Sequence, residues 1–276
     1  MRRRLLVGGL KFAAALVAVA AIASVYVFWR AMPVYSGAQR LPGLSSEVRV
    51  WRDAHGVPHI FAASMSDAAR ALGYIHASER LFQMELNRRV GQGRVAEILG
   101  PDFVNVDRYM RTLGYYREAQ NSFDALSPWA QNRLVAYAEG VNAFLDSHTS
   151  ALPPEFLVIG DTPEPWTAAD SLVWGKVMAQ QLSHNYALES LRARLRDKLG
   201  AERAGWLFPG TPPGAPITTM PALGETHAAD DPIEDEIGGL TGLTRGASNE
   251  WVVSGMRTAT GKPILANDPH LGLEAP

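Results

Sequence analysis

A charge-free run near the amino terminus, residues 12–29, most constrains what this chain can fold into. The run has 18 positions with a single serine, follows basic residues within positions 2–11, and ends before Arg30. At about 1.5 Å per residue, a helix of this length spans roughly 27 Å, just enough to cross a bilayer. This pattern is typical of a signal peptide or a signal anchor at residues 1–30, and the basic flank and terminal position argue against a core helix.

The continuation of this apolar run decides between cleavage and anchoring. Residues 21–23 (Ala-Ile-Ala) offer a small-x-small cleavage site, but the apolar residues continue to Trp29. We therefore favour an uncleaved anchor, with a cleaved signal as the alternative. The basic residues precede the segment, which predicts a cytoplasmic amino terminus and a body outside the inner membrane, in a bacterial periplasm.

Composition and charge limit the function classes. The chain is 47% hydrophobic and 20% charged, as in a folded globular protein. The formal charge is -2, but the first 40 residues hold basic groups and no acid, so the remainder is acidic. Nucleic-acid partners are not expected, because such binding needs Lys and Arg to neutralise phosphates. The absence of cysteine excludes disulfides, thiolate metal sites and a cysteine nucleophile.

Hydrophobic spacing predicts a strand followed by helices. Residues 48–60 alternate apolar and polar side chains and then reach a turn at residues 56–58, which predicts a strand entering a turn. Ser127 followed by Pro128 is a helix-start signal, Gly91 and Gly93 are expected helix breaks, and Gly200 is expected to end a helix. Three helices are predicted, at residues 66–99, 127–147 and about 168–199.

The segment 207–247 differs in composition from the rest of the chain. It is rich in Pro, Gly and Thr, has no Lys or Arg before Arg245 and concentrates acidic residues at 225–236. Such a segment is expected to bury little apolar area and to act as a flexible spacer. Beyond it, residues 250–254 and 263–267 predict two strands around a turn. The pattern stops at Pro276, and we expect a longer chain.

That hairpin makes a geometric prediction about two reactive side chains. A hairpin centred on residue 259 without a bulge puts Ser248 opposite His270. A nucleophile beside a polar neighbour is expected for covalent catalysis. A serine near a histidine is common by chance, so this pair alone is a weak signal.

Several motifs, in the same order along the chain, carry a specific resemblance. Residues 245–255 and 258–271 resemble the start of the β chain of the penicillin acylase family of N-terminal nucleophile hydrolases. The upstream motifs that resemble the family's α chain are residues 53–60, 73–77, 80–85 and 88–97. The resemblance covers most of residues 40–276.

The resemblance implies an α+β fold, the four-layer αββα arrangement of N-terminal nucleophile hydrolases, here incomplete and with a largely helical α chain at residues 31–206. It implies a precursor that cuts itself between Ala247 and Ser248, releasing the spacer at 207–247. The mature protein would then be a heterodimer of an α chain and a β chain, of which residues 248–276 are the start.

The chemistry of an amino-terminal serine explains why cleavage matters. A free α-amine has a pKa of about 7.7 to 8, so it is partly neutral near pH 7 and able to take the hydroxyl proton. Many relatives have glycine before the nucleophile, whereas this chain has Ala247. Because alanine tolerates strained backbone less well than glycine, we expect slower self-cleavage.

The resemblance assigns further roles. His270 matches a position that hydrogen-bonds near the nucleophile and contacts substrate through its backbone, with a turn histidine as the alternative. Glu189 resembles a glutamate that ligates a structural calcium, with an exposed helix glutamate as the alternative. Met178 and Leu182, four apart on one helical face, match the acyl pocket, with core packing as the alternative. No organic cofactor is expected.

The expected activity is hydrolysis of a linear amide in a small acylated amine, such as a penicillin, a glutaryl cephalosporin or an acyl-homoserine lactone. The resemblance implies that the oxyanion donors lie further along the β chain, so residues 1–276 alone are expected to be inactive. One alternative is a membrane-tethered binding or scaffold protein that retains the fold without catalysis.

A second alternative is a metallohydrolase using His55, His59 and His76. Gly56 and Pro58 argue against it, because they prevent a helix that would put His55 and His59 on one side. Asp53 and His59 are expected instead to fix a turn. A hydrogen-bonded scaffold is expected to include Gln83, Glu85, Arg88, Arg89 and Glu97.

Overall fold

The computed structural model describes residues 2–149, 152–182, 186–208, 237, 240 and 249–268. Within these ranges the chain is mostly helical, with two separate two-stranded antiparallel hairpins. The helices are α1 Arg2–Ala31, α2 Met65–Gln92, α3 Ala96–Leu99, α4 Val104–Leu113, α5 Tyr115–Asp124, α6 Pro128–Ser147, α7 Pro154–Ile159, α8 Ala168–Gln181, α9 Tyr186–Leu199 and α10 Ala201–Leu207. The strands are β1 Arg49–Arg52, β2 Pro58–Phe61, β3 Asn249–Val253 and β4 Ile264–Asp268.

Helix α1 contains the apolar run. Its segment Lys11–Ala31 is, among the described residues, the one helix long and apolar enough to cross a membrane, and none of it is buried against the rest of the chain. The predicted apolar helix is therefore present, and its side chains face outward rather than into a protein core.

Helices α2 and α6 form the centre of the body and approach each other closely. A Cβ on Gly140 would lie 1.9 Å from the carbonyl oxygen of Arg70, and one on Gly73 would lie 2.1 Å from the carbonyl oxygen of Tyr137. No larger residue fits at these two points without moving a helix. The two glycines therefore set the distance between the helices.

The core consists of two apolar clusters that share α2. One gathers buried residues from α2, α4, α5 and α8, and the other packs α2 and α6 against α7 and Trp166. Ile237, from the predicted spacer, is fully buried in the first cluster, with Leu240 partly buried beside it. Through Ile237 and Leu240 the predicted spacer contributes to the core. Its composition alone did not indicate this contribution.

The predicted helix boundaries are correct where local signals decide them. Helix α2 ends at Gly93, whose φ of 66° is left-handed, and α6 begins after Ser127, whose hydroxyl accepts a hydrogen bond from the amide of Ala130 at 3.3 Å. Gly200, with a φ of 80°, follows the end of α9 as predicted.

Two of the helix predictions are wrong. Gly91 does not break α2; it is a packing site, because a Cβ there would lie 2.6 Å from a methyl group of Val173. The predicted single helix at 168–199 is two helices, α8 and α9. Helix α8 ends at Gln181, and the amide of the capping residue Leu182 donates to the carbonyl of Met178.

Candidate active site

The hairpin β3–β4 begins directly after Ser248. Its five residue pairs run from Asn249 opposite Asp268 to Val253 opposite Ile264. The connection is held by a short 3-10 turn at residues 255–257 and by the Thr258 hydroxyl, which donates to the carbonyl of Lys262 at 2.7 Å. The strand that follows Ser248 in the sequence is therefore well defined.

The predicted register of this hairpin is wrong by one residue. A centre at residue 259 would pair Asn249 with Pro269, whereas Asn249 pairs with Asp268. The connection between the strands, residues 254–263, has an even number of residues, so the centre falls between two residues rather than on one. A slip of one residue reverses which face each side chain occupies. The predicted Ser248–His270 pair itself lies outside the described residues.

Three of the predicted site residues, Ala247, Ser248 and His270, lie outside the described residues. Their roles in cleavage and catalysis therefore stay predictions.

Met178 and Leu182 lie one helical turn apart at the end of α8. The amide of Leu182 donates to the carbonyl of Met178 at 3.0 Å, which fixes this spacing. Met178 is half-buried, while Leu182 is 59% exposed. Core packing therefore does not explain Leu182, and the pair presents an apolar edge of α8 next to the buried Val177.

Glu189 is an exposed side chain in the first turn of α9. Calcium takes six to eight oxygen ligands, and no group of three or more candidate side chains gathers within the described parts of the chain. The described residues do not by themselves form a calcium site, and calcium binding by Glu189 stays a prediction.

A buried network of charges ties α2 to the segment before α8. The carboxylate of Glu85 is paired with both Arg88 and Arg89, and all three side chains are nearly inaccessible to solvent. Arg89 donates to Glu97 and to Asp161, each at 2.8 Å, and Arg88 donates to the carbonyl of Glu164 at 3.0 Å. The predicted scaffold role of Glu85, Arg88, Arg89 and Glu97 is confirmed.

Asp170 connects this network to the start of α8. It accepts from the Thr167 amide at 2.7 Å and from the Gln92 side chain at 2.9 Å. With Thr167 it forms a reciprocal cap of the helix. The charges therefore hold α8, which carries Met178 and is capped by Leu182, in place against α2.

Neighbouring charges shift the pKa values at the edge of the network. Hydrogen bonds from Arg94 lower the pKa of Glu164 to about 2, and bonds from Arg94 and Arg89 lower the pKa of Glu97. Both carboxylates are thus held as anions by arginines. This suits ion pairing and not a general base, which needs a pKa near the working pH.

The turn between β1 and β2 is fixed by Asp53, as predicted. Its Oδ1 accepts from the amides of His55 and Val57, at 2.9 and 3.0 Å, and its Oδ2 lies 3.3 Å from Nε2 of His59. His76, by contrast, contacts Tyr137, and no metal-ligand cluster joins the three histidines, all of which are described. The three histidines named by the metallohydrolase alternative therefore do not form a metal site together.

His76 and Tyr137 line a cavity of about 730 Å³ between α2, α6 and α8 that the sequence did not indicate. Nδ1 of His76 lies 3.0 Å from the Tyr137 hydroxyl. Burial lowers the pKa of His76, and burial raises the pKa of Tyr137 to about 12. Both side chains are therefore neutral near pH 7, and Trp129 and Trp174 make the cavity largely apolar.

Comparisons with known proteins agree on one family. A sequence model described as penicillin amidase matches residues 47–276. The penicillin acylase 2 proenzyme of Pseudomonas sp. (strain SE83) is 41% identical over 89% of this chain and 33% of its own length. The acyl-homoserine lactone acylase QuiP of Pseudomonas aeruginosa is 34% identical over 89% of this chain and 30% of its own length.

The fold is shown by a solved structure, a thermostable penicillin G acylase from Alcaligenes faecalis. It is 33% identical, with a TM-score of 0.53, over 64% of this chain and 98% of the matched chain. The fold class is therefore that of an N-terminal nucleophile hydrolase, α+β and incomplete here. The chain belongs to the penicillin amidase family, and it spans about a third of the length of the curated relatives that it matches.

Proposed function

We propose that this chain is the amino-terminal part of a self-processing amidohydrolase that cleaves a linear amide through Ser248. The observation that carries the proposal is the match of residues 47–276 to the penicillin amidase family, which extends across Ser248 and the hairpin that follows it. Ser248 precedes β3 directly, so cleavage at Ala247–Ser248 gives a new chain whose first strand begins at its second residue.

The proposed chemistry needs a free amino-terminal serine. The Ser248 hydroxyl attacks the amide carbonyl, its own α-amine takes the hydroxyl proton, and that proton passes to the departing amine. Water then hydrolyses the acyl-enzyme, releasing the acid and restoring the serine. The oxyanion donors for both steps would come from chain beyond residue 276, and one lost donor costs about 10² to 10³ in rate.

Penicillins and acyl-homoserine lactones are the proposed substrates, because acylases named for both groups are among the relatives. The exposed Leu182, one turn from the half-buried Met178, supports an apolar acyl group at the end of α8. His270 is proposed to contact the substrate near Ser248. The α and β chains would form a heterodimer around the site.

The proposed location is the periplasmic face of the inner membrane. It is supported by Lys11–Ala31, an unburied helix of membrane-spanning length near the amino terminus, and by the basic residues that precede it. Calcium bound partly through Glu189 also stays a proposal, with the remaining ligands supplied by residues outside the described set.

Two serine substitutions in the protein expressed from its whole reading frame test the function. We expect Ser248→Ala to abolish both chain cleavage and hydrolysis of penicillin G and an acyl-homoserine lactone. Ser254→Ala is the matched control, because Ser254 lies in the same hairpin, where it caps the 3-10 turn. It should leave both intact.

Cleavage and turnover that survive Ser248→Ala would contradict the proposal. The binding-protein alternative would be favoured by two results together. The wild-type protein would never hydrolyse the acylated amine, and the Ser248→Ala protein would bind it with the same affinity as wild type.

A further inference from the structure

Helix α7 exposes two apolar side chains beside one carboxylate, Glu155, and buries further apolar residues. Phe156 is buried and packs edge-on against Phe82 with ring centres 5.6 Å apart, and Ile159 packs against the same cluster. Leu157 and Val158 are nevertheless 68% and 87% exposed. Exposed positions on a helix usually carry polar residues. The exposed Leu157 and Val158 therefore indicate a surface that is covered by another molecule or by a membrane.

The position of α7 in the fold indicates which partner it meets. The last turns of α1 border a crevice of about 340 Å³ whose other wall includes Phe156 and Leu157 of α7. Tyr26, Val27 and Arg30 form the α1 side of this crevice. The exposed apolar residues of α7 therefore lie beside the end of the apolar helix, where the chain leaves it for the body.

The last turns of α1 have the residues of a membrane–water interface. The rings of Tyr26 and Trp29 lie 6.4 Å apart, and the guanidinium of Arg30 lies 5.6 Å from the Tyr26 ring. All three side chains are largely exposed to the surroundings of the helix. Aromatic and basic residues at the end of an apolar span mark the headgroup region of a bilayer.

We propose that α7 is a second membrane contact, at which Leu157 and Val158 enter the interfacial region of the bilayer that α1 spans. The contact holds the periplasmic body against the membrane surface, so that α1 is not a free tether. The proposal rests on α1 remaining in the mature protein as an anchor. It is independent of the chemistry at Ser248.

A single-cysteine label tests this contact, because residues 1–276 contain no cysteine. Val158→Cys is made in the protein expressed from its whole reading frame, after any other cysteine is replaced by serine. It is labelled with the fluorophore NBD and reconstituted into phosphatidylethanolamine–phosphatidylglycerol vesicles with or without lipids that carry a shallow nitroxide quencher. We expect blue-shifted emission and at least a twofold loss of intensity with the quencher.

Two further positions serve as controls. Val135→Cys is the matched control, because Val135 is also an exposed valine on a helix. It lies in α6, 12 residues or roughly 18 Å before the end of that helix. A label at this position should show aqueous emission and no quenching. Val25→Cys within α1 should be quenched, which reports that the anchor is in the bilayer.

Each other outcome overturns the proposal. Aqueous emission at position 158 means that α7 stays in solvent. Blue-shifted emission without quenching means that protein, such as the rest of this chain, covers the helix. A mature chain that begins after residue 31, or an unquenched label at position 25, removes the anchor on which the contact depends.

Discussion

The helical body and the β3–β4 hairpin differ in what they can do alone. In the body, α2, α6 and α8 bury two apolar clusters and a satisfied network of charges. In the hairpin, Trp251, Val252 and Leu265 are all more than half exposed, and an isolated two-stranded hairpin is marginally stable at best. The body supplies its own core, whereas the hairpin that follows Ser248 needs further chain to cover it. Stability and the proposed chemistry therefore depend on different parts of the protein.

The largest expected effect comes from removing the buried carboxylate at the centre of the network. Glu85→Ala leaves Arg88 and Arg89 buried without their shared partner, and we expect it to lower the free energy of unfolding by about 3–5 kcal/mol. Urea unfolding of the whole protein measures this. Glu118→Ala is the control, because it removes an exposed carboxylate in α5. It should change the free energy of unfolding by less than about 0.5 kcal/mol. Equal effects would mean that the body does not depend on its charges.

The next effect tests the close approach of α2 and α6. Gly140→Ala brings a Cβ against the carbonyl of Arg70, and we expect a loss of about 1–3 kcal/mol in unfolding free energy. Gly175→Ala in α8 is the matched control, because nothing lies within 4 Å of a Cβ there. It should be neutral or stabilising by up to about 1 kcal/mol, since alanine favours a helix. Indistinguishable midpoints for the two variants would contradict the close approach.

A smaller effect depends on pH. The folded pKa of Glu164 is about 2, below its ordinary value of 4.5, so the stability from its pairing with Arg94 is fully present above pH 4.5 and is lost as the pH falls towards 2. Glu164→Gln should therefore lose stability at pH 6 and differ progressively less from wild type as the pH drops. Thermal unfolding at several pH values checks this, with Glu202→Gln, an exposed glutamate on α10, as the control. A pH-independent difference would count against the ion pair.

The smallest effect concerns the link between the body and the rest of the protein. If Glu189 provides one calcium ligand, a chelator should lower the melting temperature of the mature protein by a few degrees, and Glu189→Gln should reduce that shift. Asp197→Asn, on the same helix, should respond to the chelator as wild type does. An equal response of all three proteins would remove Glu189 from any calcium site.

Local signals in the sequence predicted those features that one or two residues control. Ser127 and Gly93 cap helices because a hydroxyl and a left-handed glycine act within one turn. The Asp53 turn is equally local. The arginines and glutamates at residues 85–97 indicated a hydrogen-bonded scaffold. They did not indicate its other partners, Asp161 and Glu164, which lie some 70 residues further along the chain.

The features that the sequence missed depend on contacts between distant segments. Gly91 resembles a helix break until Val173 is brought against it, and Ile237 resembles spacer until the cluster around Val177 surrounds it. The hairpin register depends on the even length of the connection, which the turn residues alone do not reveal. His76 and Tyr137 meet only because α2 packs on α6.

The most direct test of the central claim is intact mass measurement with amino-terminal sequencing of the protein expressed from its whole reading frame. The account predicts a chain that begins Ser-Asn-Glu-Trp, the sequence from Ser248 to Trp251. A folded protein that remains one uncut chain would contradict it, because the serine would then lack the free amine that the proposed mechanism requires.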